Sequence, residues 1–423
     1  MKFVSTRGRA PAVDFRSALF EGLAPDGGLY VPDRIERVSP ASVQGTSLIE
    51  LAVEVARPYL EDSLSRQELQ RLLASALDFR IPIVPVGGSV SALELFHGPT
   101  FAFKDVGARV MARLMAYFAT GDRELTVLVA TSGDTGSAVA QAFFGLDGTR
   151  VVVLFPEGGV TPVQEAQFTT VGGNITAVAV SGTFDDCQRL VKEAFASDLR
   201  ESANLTSANS INVGRLLPQV FYYVHAALSF DQPIVVSVPS GNFGNLTAGL
   251  WAWKAGASIR HFVAATTIND TVPRYLERGR YEPRPSVPTL ANAMDVGNPS
   301  NLERIRWLFQ DDLVAMRATI TPSVHTDDQV RQRIREMWTR WKYIVDPHSA
   351  IAALGLAASG LPEQSPLLFL ATAHPAKFRE TIEPLIDQSI QLPPALTEAM
   401  SRPRIVERIK PTVSQLRTIL LDG

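Results

Sequence analysis

"TVLVATSGDTGSAVAQAF", residues 126 to 143, carries a β-branched apolar run into a turn of Ser, Gly, Asp and Thr, and then into a helical pattern. The same plan returns in "RVVVLFPEGGVTPVQEAQF" (150–168), "NITAVAVSGTFDDCQRLVKEAF" (174–195), "PIVVSVPSGNFGNLTAGLWAW" (233–253) and "SPLLFLATAHPAKFRETIEPLI" (365–386). Strands that are apolar along almost their whole length are covered on both faces. Their alternation with helices predicts parallel sheets flanked by helices, so the fold class is α/β.

Outside these units the pattern changes. Before residue 85, Gly/Pro-rich turns such as "APDGGLYVP" surround one strong helical pattern, "SLIELAVEVARPYL", and predict an N-terminal subdomain. Residues 269–300, dense in Pro, Asn and Arg, predict a long excursion, either over a sheet edge or cleft or on the open surface. At 423 residues the chain exceeds what a single core usually supports, so two or more domains are expected.

Composition narrows the function. A formal charge of -3 offers no electrostatic grip on nucleic acid or an anionic membrane, and no apolar run approaches the length that crosses a bilayer. Small-molecule partners remain. The single cysteine, Cys187, excludes a disulfide framework or a thiolate metal site and fits a reducing compartment. The N-terminal "MKFVSTRGRAPAVDF" lacks the apolar core of a secretory signal, so a cytoplasmic location is expected.

Two of the strand–turn–helix units share their punctuation, "SGDTG" at 132–136 and "SGNFG" at 240–244. Glycines there let the backbone turn sharply, so that amide N–H groups and the positive end of the following helix face one point. One such loop is as readily a plain connection within a parallel sheet; two matched loops favour anion binding. Neither is G-x-G-x-x-G or ends in G-K-[ST], which leaves a dinucleotide fold or a P-loop unsupported. A third polar cluster, "SANSINVGR" at 207–215, brings Asn209, Ser210 and Arg215 to the start of a helical pattern. Arg215 there is either a phosphate ligand or an ordinary surface arginine.

One lysine stands out. In "HGPTFAFKDVGARVM" (97–111) Lys104 sits among aromatic, small and apolar residues, where it either snorkels to water or is held with a lowered pKa as base or nucleophile. The six histidines are scattered and no H-E-x-x-H is present, so no metal site is expected. His348 and His374 lie at turns that open helices and are expected to cap or pack. Cys187, in "FDDCQRL", shows no sign of nucleophilic activation.

A lysine in an apolar setting, two anion loops and a Ser/Asn/Arg cluster together fit a cofactor that is an aldehyde carrying a phosphate, with an amino-acid substrate beside it. Pyridoxal 5'-phosphate has that chemistry. "HGPTFAFKD", "ATSGDTGSA", "GGNI", "SANSIN", "VPSGNFGN" and "TAHPAKF", with the N-terminal "STRG" and "GLAPDGGLYVP", resemble the threonine synthase family of the pyridoxal-phosphate-dependent tryptophan-synthase-β-like (fold type II) superfamily. The likeness runs from residue 5 to about residue 380.

The resemblance implies two mainly parallel sheets flanked by helices, with an additional N-terminal subdomain. Residues 1–85 would form that subdomain, 86–125 with 206–423 a large cofactor-binding domain, and 126–205 a small domain. It implies that Lys104 forms the Schiff base and later acts as base. Gly241, Asn242, Phe243, Gly244 and Asn245 would hold the cofactor phosphate, and Thr372 would place its hydroxyl at the pyridine nitrogen. Ser132, Gly133, Asp134 and Thr135 would face the substrate carboxylate. Many members of the superfamily have Asn where Asp134 stands, and a second negative charge facing a carboxylate is unfavourable unless Asp134 points elsewhere or is protonated. Asn209, Ser210 and Arg215 match the positions that bind the substrate phosphate.

The implied reaction converts O-phospho-L-homoserine and water into L-threonine and phosphate, in a monomer or homodimer. The nearest rival is a related phospho-lyase or dehydratase giving 2-oxobutyrate; the Asn209/Ser210/Arg215 cluster speaks for the first. A non-catalytic amino-acid-binding regulator of the same fold has no use for Lys104.

Overall fold

The computed structural model describes residues 1–119, 123–360 and 365–422. The N-terminal part holds a two-stranded antiparallel sheet, β1 (Phe3–Ser5) and β2 (Tyr30–Pro32). Two helices follow, Leu48–Leu60 and Arg66–Ala76. Each of these helices starts in a capping box, Ser47 with Glu50 and Ser65 with Glu68, which satisfies amide N–H groups that the first turn leaves without intrahelical partners. The first buries the face bearing Leu51, Ala52, Val55 and Tyr59, as the sequence pattern requires.

Two larger sheets follow. Their strands in chain order are β3 (Ile83–Gly87), β4 (Val90–Glu94), β5 (Leu125–Ala130), β6 (Thr149–Pro156), β7 (Ile175–Val180), β8 (Leu205–Ser207), β9 (Ile234–Pro239), β10 (Ile259–Thr266), β11 (Ile320–Val324), β12 (Leu367–Ala371) and β13 (Glu407–Ile409). The six-stranded sheet has the order β11-β10-β9-β12-β4-β3, parallel throughout except for the β3–β4 hairpin. The five-stranded sheet, β13-β7-β6-β5-β8, is entirely parallel. Every residue of β5, β9 and β12 is buried, which is why those stretches read as unbroken apolar runs rather than alternating ones. The α/β expectation is met.

The five-stranded sheet is not confined to residues 126–205, because it takes β8 on one edge and, from the far end of the chain, β13 on the other. Among the described residues no helix is long and apolar enough to cross a membrane. Cys187 is buried, and burial pushes its thiol up to about 12, in keeping with a packing role.

The strand orders locate the site. In the large sheet the chain leaves β9 toward β10 on one side, while β12 lies on the other. In the small sheet β5 has β6 on one side and β8 on the other. Both are points where the winding direction reverses and where the loops beyond the carboxyl ends of neighbouring strands part to leave a crevice. The loops after β4, β5, β8, β9 and β12 carry "HGPTFAFKD", "TSGDTG", "ANSIN", "SGNFG" and "TAHPAKF", so all five motifs lie at carboxyl ends of strands. The helices Lys104–Phe118 and Asp134–Phe143 pack on each other and join the two sheets.

Candidate active site

Lys104 is the first residue of its helix. The preceding turn is fastened from both sides. Phe103 N donates to Thr372 O at 2.9 Å and His374 N to Phe101 O at 3.0 Å, which ties the turn to the segment leaving β12. Phe101 has φ 58°, and within the same turn Asp105 accepts from Thr100 N at 2.9 Å and from Thr100 Oγ1 at 2.5 Å. Lys104 is thereby held at the wall of a cavity of about 140 Å³, with Nζ 5.5 Å from the Phe103 ring centroid. It keeps some accessible surface, as a cavity wall must. Burial lowers its amine from the ordinary 10.5 to about 8; Asp134 opposes the shift, and Lys377 and Arg215 reinforce it.

The loop after β9 forms a second wall. Phe243 takes the left-handed conformation (φ 60°) just before the helix Gly244–Lys254, which turns the backbone of residues 241–245 along the cavity. Gly241 is required by close approach: a Cβ there would lie 2.6 Å from Met294 Cα and 3.0 Å from the Ala293 carbonyl oxygen. The amide of Asn245 is oriented by Tyr222 and Tyr223, whose hydroxyls donate to Oδ1 at 2.6 and 2.7 Å, and its buried Nδ2 has no hydrogen-bond partner among the described residues. The excursion at 269–300 thus lies over the cleft, where Ala293 and Met294 cover the loop.

The third wall comes from "SANSINVGR". Asn209 Nδ2 donates to Ala130 O at 3.0 Å, and Ser210 Oγ accepts from Asn242 Nδ2 at 2.6 Å. Arg215 is buried. Its Nη1 donates to Ala208 O at 2.5 Å, its Nε has no partner, and it makes no ion pair among the described residues. Burial lowers it to about 10, so it remains a cation at neutral pH. Gly107 permits the approach of its helix, since a Cβ there would lie 2.6 Å from the Arg215 carbonyl oxygen.

This arrangement fits a phosphorylated aldehyde. An amine of lowered proton affinity, a backbone cradle that a Cβ would fill and an unpartnered buried amide donor share one cavity. Comparison with known proteins agrees. Residues 85–373 match the family model "Pyridoxal-phosphate dependent enzyme", residues 2–77 match "Threonine synthase N terminus" and 350–420 match "Threonine synthase, C-terminal". Threonine synthase of Escherichia coli strain K12 is 39% identical over 430 residues covering 100% of both chains, and that of Haemophilus influenzae is 42% identical over 420 residues covering 97% of each. The chain belongs to the threonine synthase family. Pyridoxal phosphate is its cofactor, and its fold is that of solved members. The crystal structure of the Escherichia coli enzyme has a TM-score of 0.94 at 39% identity, covering 100% of both chains. A structure described as pyridoxal-phosphate-bound threonine synthase from Brucella melitensis has 0.92 at 36% identity, covering 100% of this chain and 99% of that one.

For a threonine synthase family member, most residues expected from sequence converge. Lys104, Ser132, Thr135, Asn209, Ser210 and Arg215 line the one cavity, together with residues 241–245 and Thr372. Gly133 and Asp134 do not line it. Gly133 (φ 132°) donates its N–H to Thr131 Oγ1 at 2.9 Å. The Asp134 carboxylate is buried against Lys377 at 2.6 Å, so it points away from the position expected of a substrate ligand. Burial alone would raise that carboxyl, but the ammonium groups of Lys377 and then Lys104 override it and hold it below the usual range.

Three further residues come only from the structure. His348, expected to cap or pack, lines the cavity; it is oriented by Asp346 at 2.7 Å through Nδ1 and accepts from Ala293 N at 3.2 Å through Nε2. Arg304 is wholly buried and donates to Tyr30 O, Ser210 O and Ile211 O, which braces the Ser210 turn. Lys377 is the third. His374 caps its turn by accepting from Ala376 N at 3.1 Å, as expected.

Proposed function

We propose that the chain converts O-phospho-L-homoserine and water into L-threonine and phosphate, and that it does so in the cytoplasm as a monomer or homodimer. The observation that carries the substrate assignment is Arg215: a buried cation without an ion-pair partner among the described residues, in the same cavity as Lys104 and beside Asn209 and Ser210.

Bound pyridoxal phosphate supplies a carbonyl that joins to amines and a ring that draws electrons from the substrate carbons. The chain supplies the rest. Lys104 would provide the amine that holds the cofactor, and the same amine, when free, would take the proton from the substrate Cα. Its lowered proton affinity leaves a useful neutral fraction near neutral pH, while the flanking cations keep the nitrogen from holding the proton too tightly. Residues 241–245 would bind the cofactor phosphate through backbone N–H groups and Asn245 Nδ2, and Thr372 would offer its hydroxyl to the ring nitrogen. Ser132 and Thr135 offer hydroxyl and backbone donors to the substrate carboxylate. Asn209, Ser210 and Arg215 hold the substrate phosphate while charge grows on its oxygens as it leaves Cγ, a role in which donors already in place gain most from a water-poor site.

The test joins two measurements. Borohydride reduction of the holoenzyme followed by peptide mass spectrometry is expected to place the pyridoxyl group on Lys104. Incubation with O-phospho-L-homoserine is expected to release threonine and phosphate in equal amounts; 2-oxobutyrate without threonine would reject the reading in favour of a phospho-lyase.

A further inference from the structure

Asp134 lies in the "SGDTG" loop, yet its carboxylate is turned from the cavity onto Lys377. The side chains of Asp134 and Lys377 are 4% and 0% exposed, and Lys377 Nζ lies 2.6 Å from Asp134 Oδ1. Lys377 also donates to Thr100 O at 2.9 Å, and Asp134 Oδ1 accepts from Gln164 Nε2 at 2.9 Å. The partners come from opposite sheets: Asp134 opens the helix after β5, and Lys377 lies in the turn after β12 that carries Thr372. Thr161 Oγ1 donates to Lys377 O at 3.2 Å and Gln167 Nε2 to Thr100 O at 3.1 Å, which strengthens the same seam.

Stability is a weak reason for a buried ion pair, because an apolar pair of the same shape serves as well or better. What distinguishes this one is its neighbour. Lys377 is hydrogen-bonded to Thr100 O in the turn that leads into Lys104, and Asp134 is followed by Thr135, which lines the same cavity as Lys104, so both charges bear on that amine, with opposite signs. The other charged groups around that amine are Arg215, which also repels a proton there, and Asp105, the next residue, whose carboxyl is taken up by Thr100; His348 lines the same cavity.

We propose that Asp134 and Lys377 are positioning residues for the reaction, a net-neutral couple that sets the proton affinity of Lys104 by keeping either charge from standing alone beside it. This rests on Lys104 being the reactive amine. A lone carboxylate would hold the amine protonated and unable to join the cofactor or accept the Cα proton, whereas a lone ammonium would strip it of the affinity it needs to hold that proton. It also explains how an aspartate is tolerated in the loop that faces the substrate carboxylate: its charge is cancelled within the protein.

The test is a set of three full-length variants whose predicted shifts differ in sign. In cofactor-free chain, labelling of Lys104 by a small amine-reactive reagent, followed by peptide mass spectrometry across pH, reads its neutral fraction. In Asp134→Asn, which keeps the acceptor for Gln164, labelling near pH 7 is expected to be about three- to tenfold faster. In Lys377→Met it is expected to be slower by a similar factor, and in the double variant to lie within about twofold of the native chain. In the holoenzyme, the titration midpoint of the cofactor's visible absorption at Lys104 is expected to fall, rise and return in the same three variants.

Shifts of one sign in both single variants, or none, would overturn the proposal. If Lys377→Met does not fold, Asp134→Asn decides alone: unchanged or slower labelling there overturns it. A borohydride adduct on another lysine would reject the assignment of Lys104 itself and leave the labelling comparison readable, so the two failures are distinguishable.

Discussion

The side-chain nitrogen of Asn242 donates to the hydroxyl oxygen of Ser210 at 2.6 Å, which joins the loop after β9 to the loop after β8. The other end of the same amide accepts from Ser300 N at 2.6 Å, so a single side chain spans the 241–245 loop, the 207–215 cluster and the excursion that covers the cleft. Arg304 fixes the far side of Ser210 by donating to its carbonyl oxygen at 3.1 Å. The two segments proposed to hold different phosphates therefore share one hydrogen-bonded frame.

That frame makes Asn242→Ala a coupled defect. Two hydrogen bonds in the cleft are lost, each worth about 1 kcal/mol. The cofactor dissociation constant and the KM for O-phospho-L-homoserine are both expected to rise, by about ten- to thirtyfold if the losses add. Absorbance titration with pyridoxal phosphate and steady-state kinetics measure the two separately; a change in only one would show that the loops act independently.

Arg215→Ala separates the sites instead. A charge-assisted bond to a phosphate is worth about 1.5–3 kcal/mol, so kcat/KM is expected to fall by about ten- to 150-fold, chiefly through KM, with cofactor affinity unchanged. Product inhibition by inorganic phosphate should weaken in parallel. Loss of the cofactor's absorbance in this variant would mean that the guanidinium serves the cofactor.

The fold was legible because its strands are buried on both faces: runs such as Ile234–Pro239 leave no alternation to misread, and the Gly-rich turns mark where each ends. Of the site, the residues on those turns were legible from short motifs. Arg304 and Lys377 were not, because their partners lie far along the chain; His348 reads as an ordinary helix-opening residue, since its local partner Asp346 does not announce the contact with Ala293 at the cavity. Arg304 lies in "LERIRWL", which reads as a charged helix face, and only the three carbonyl oxygens it meets, from residues 30, 210 and 211, explain its burial. Lys377, within "HPAKF", pairs with a residue more than two hundred positions away, and nothing local announces it. Glu407–Ile409 likewise joins the small sheet from the chain's far end, a pairing that no local pattern encodes.

The placement of Lys104 costs stability, and the sign of its pH dependence follows. Its folded value, about 8, lies below the ordinary 10.5, so between those values the unfolded chain binds more protons and stability rises with pH; below pH 8 the penalty is present in full. Lys104→Met is therefore expected to stabilise the cofactor-free chain by about 1–3 kcal/mol at pH 7, with the gain shrinking as pH rises from 8 to 10.5. Urea denaturation of both chains at pH 7 and pH 10 measures it. A gain that grows with pH would contradict the assigned environment of the amine.

The backbone cradle is tested at its two glycines, which the structure ranks. A methyl group at Gly241 would meet backbone, Met294 Cα at 2.6 Å and Ala293 O at 3.0 Å; at Gly244 it would meet side chains, Asn301 Nδ2 at 3.3 Å and Ser210 Cβ at 3.4 Å. Backbone held by its own hydrogen bonds, Met294 N to Ala291 O and Ala293 N to His348 Nε2, yields less readily than a side chain. Overpacking costs about 1–3 kcal/mol, so Gly241→Ala is expected to weaken pyridoxal phosphate binding by about five- to a hundredfold. Gly244→Ala should weaken it by no more than severalfold. Because the 291–294 segment covers the cleft, Gly241→Ala should also make it easier to cut by limited proteolysis, while the rest of the chain resists as before. Equal losses at the two positions would mean that the loop takes up its cofactor by moving as a whole rather than by offering a preformed surface.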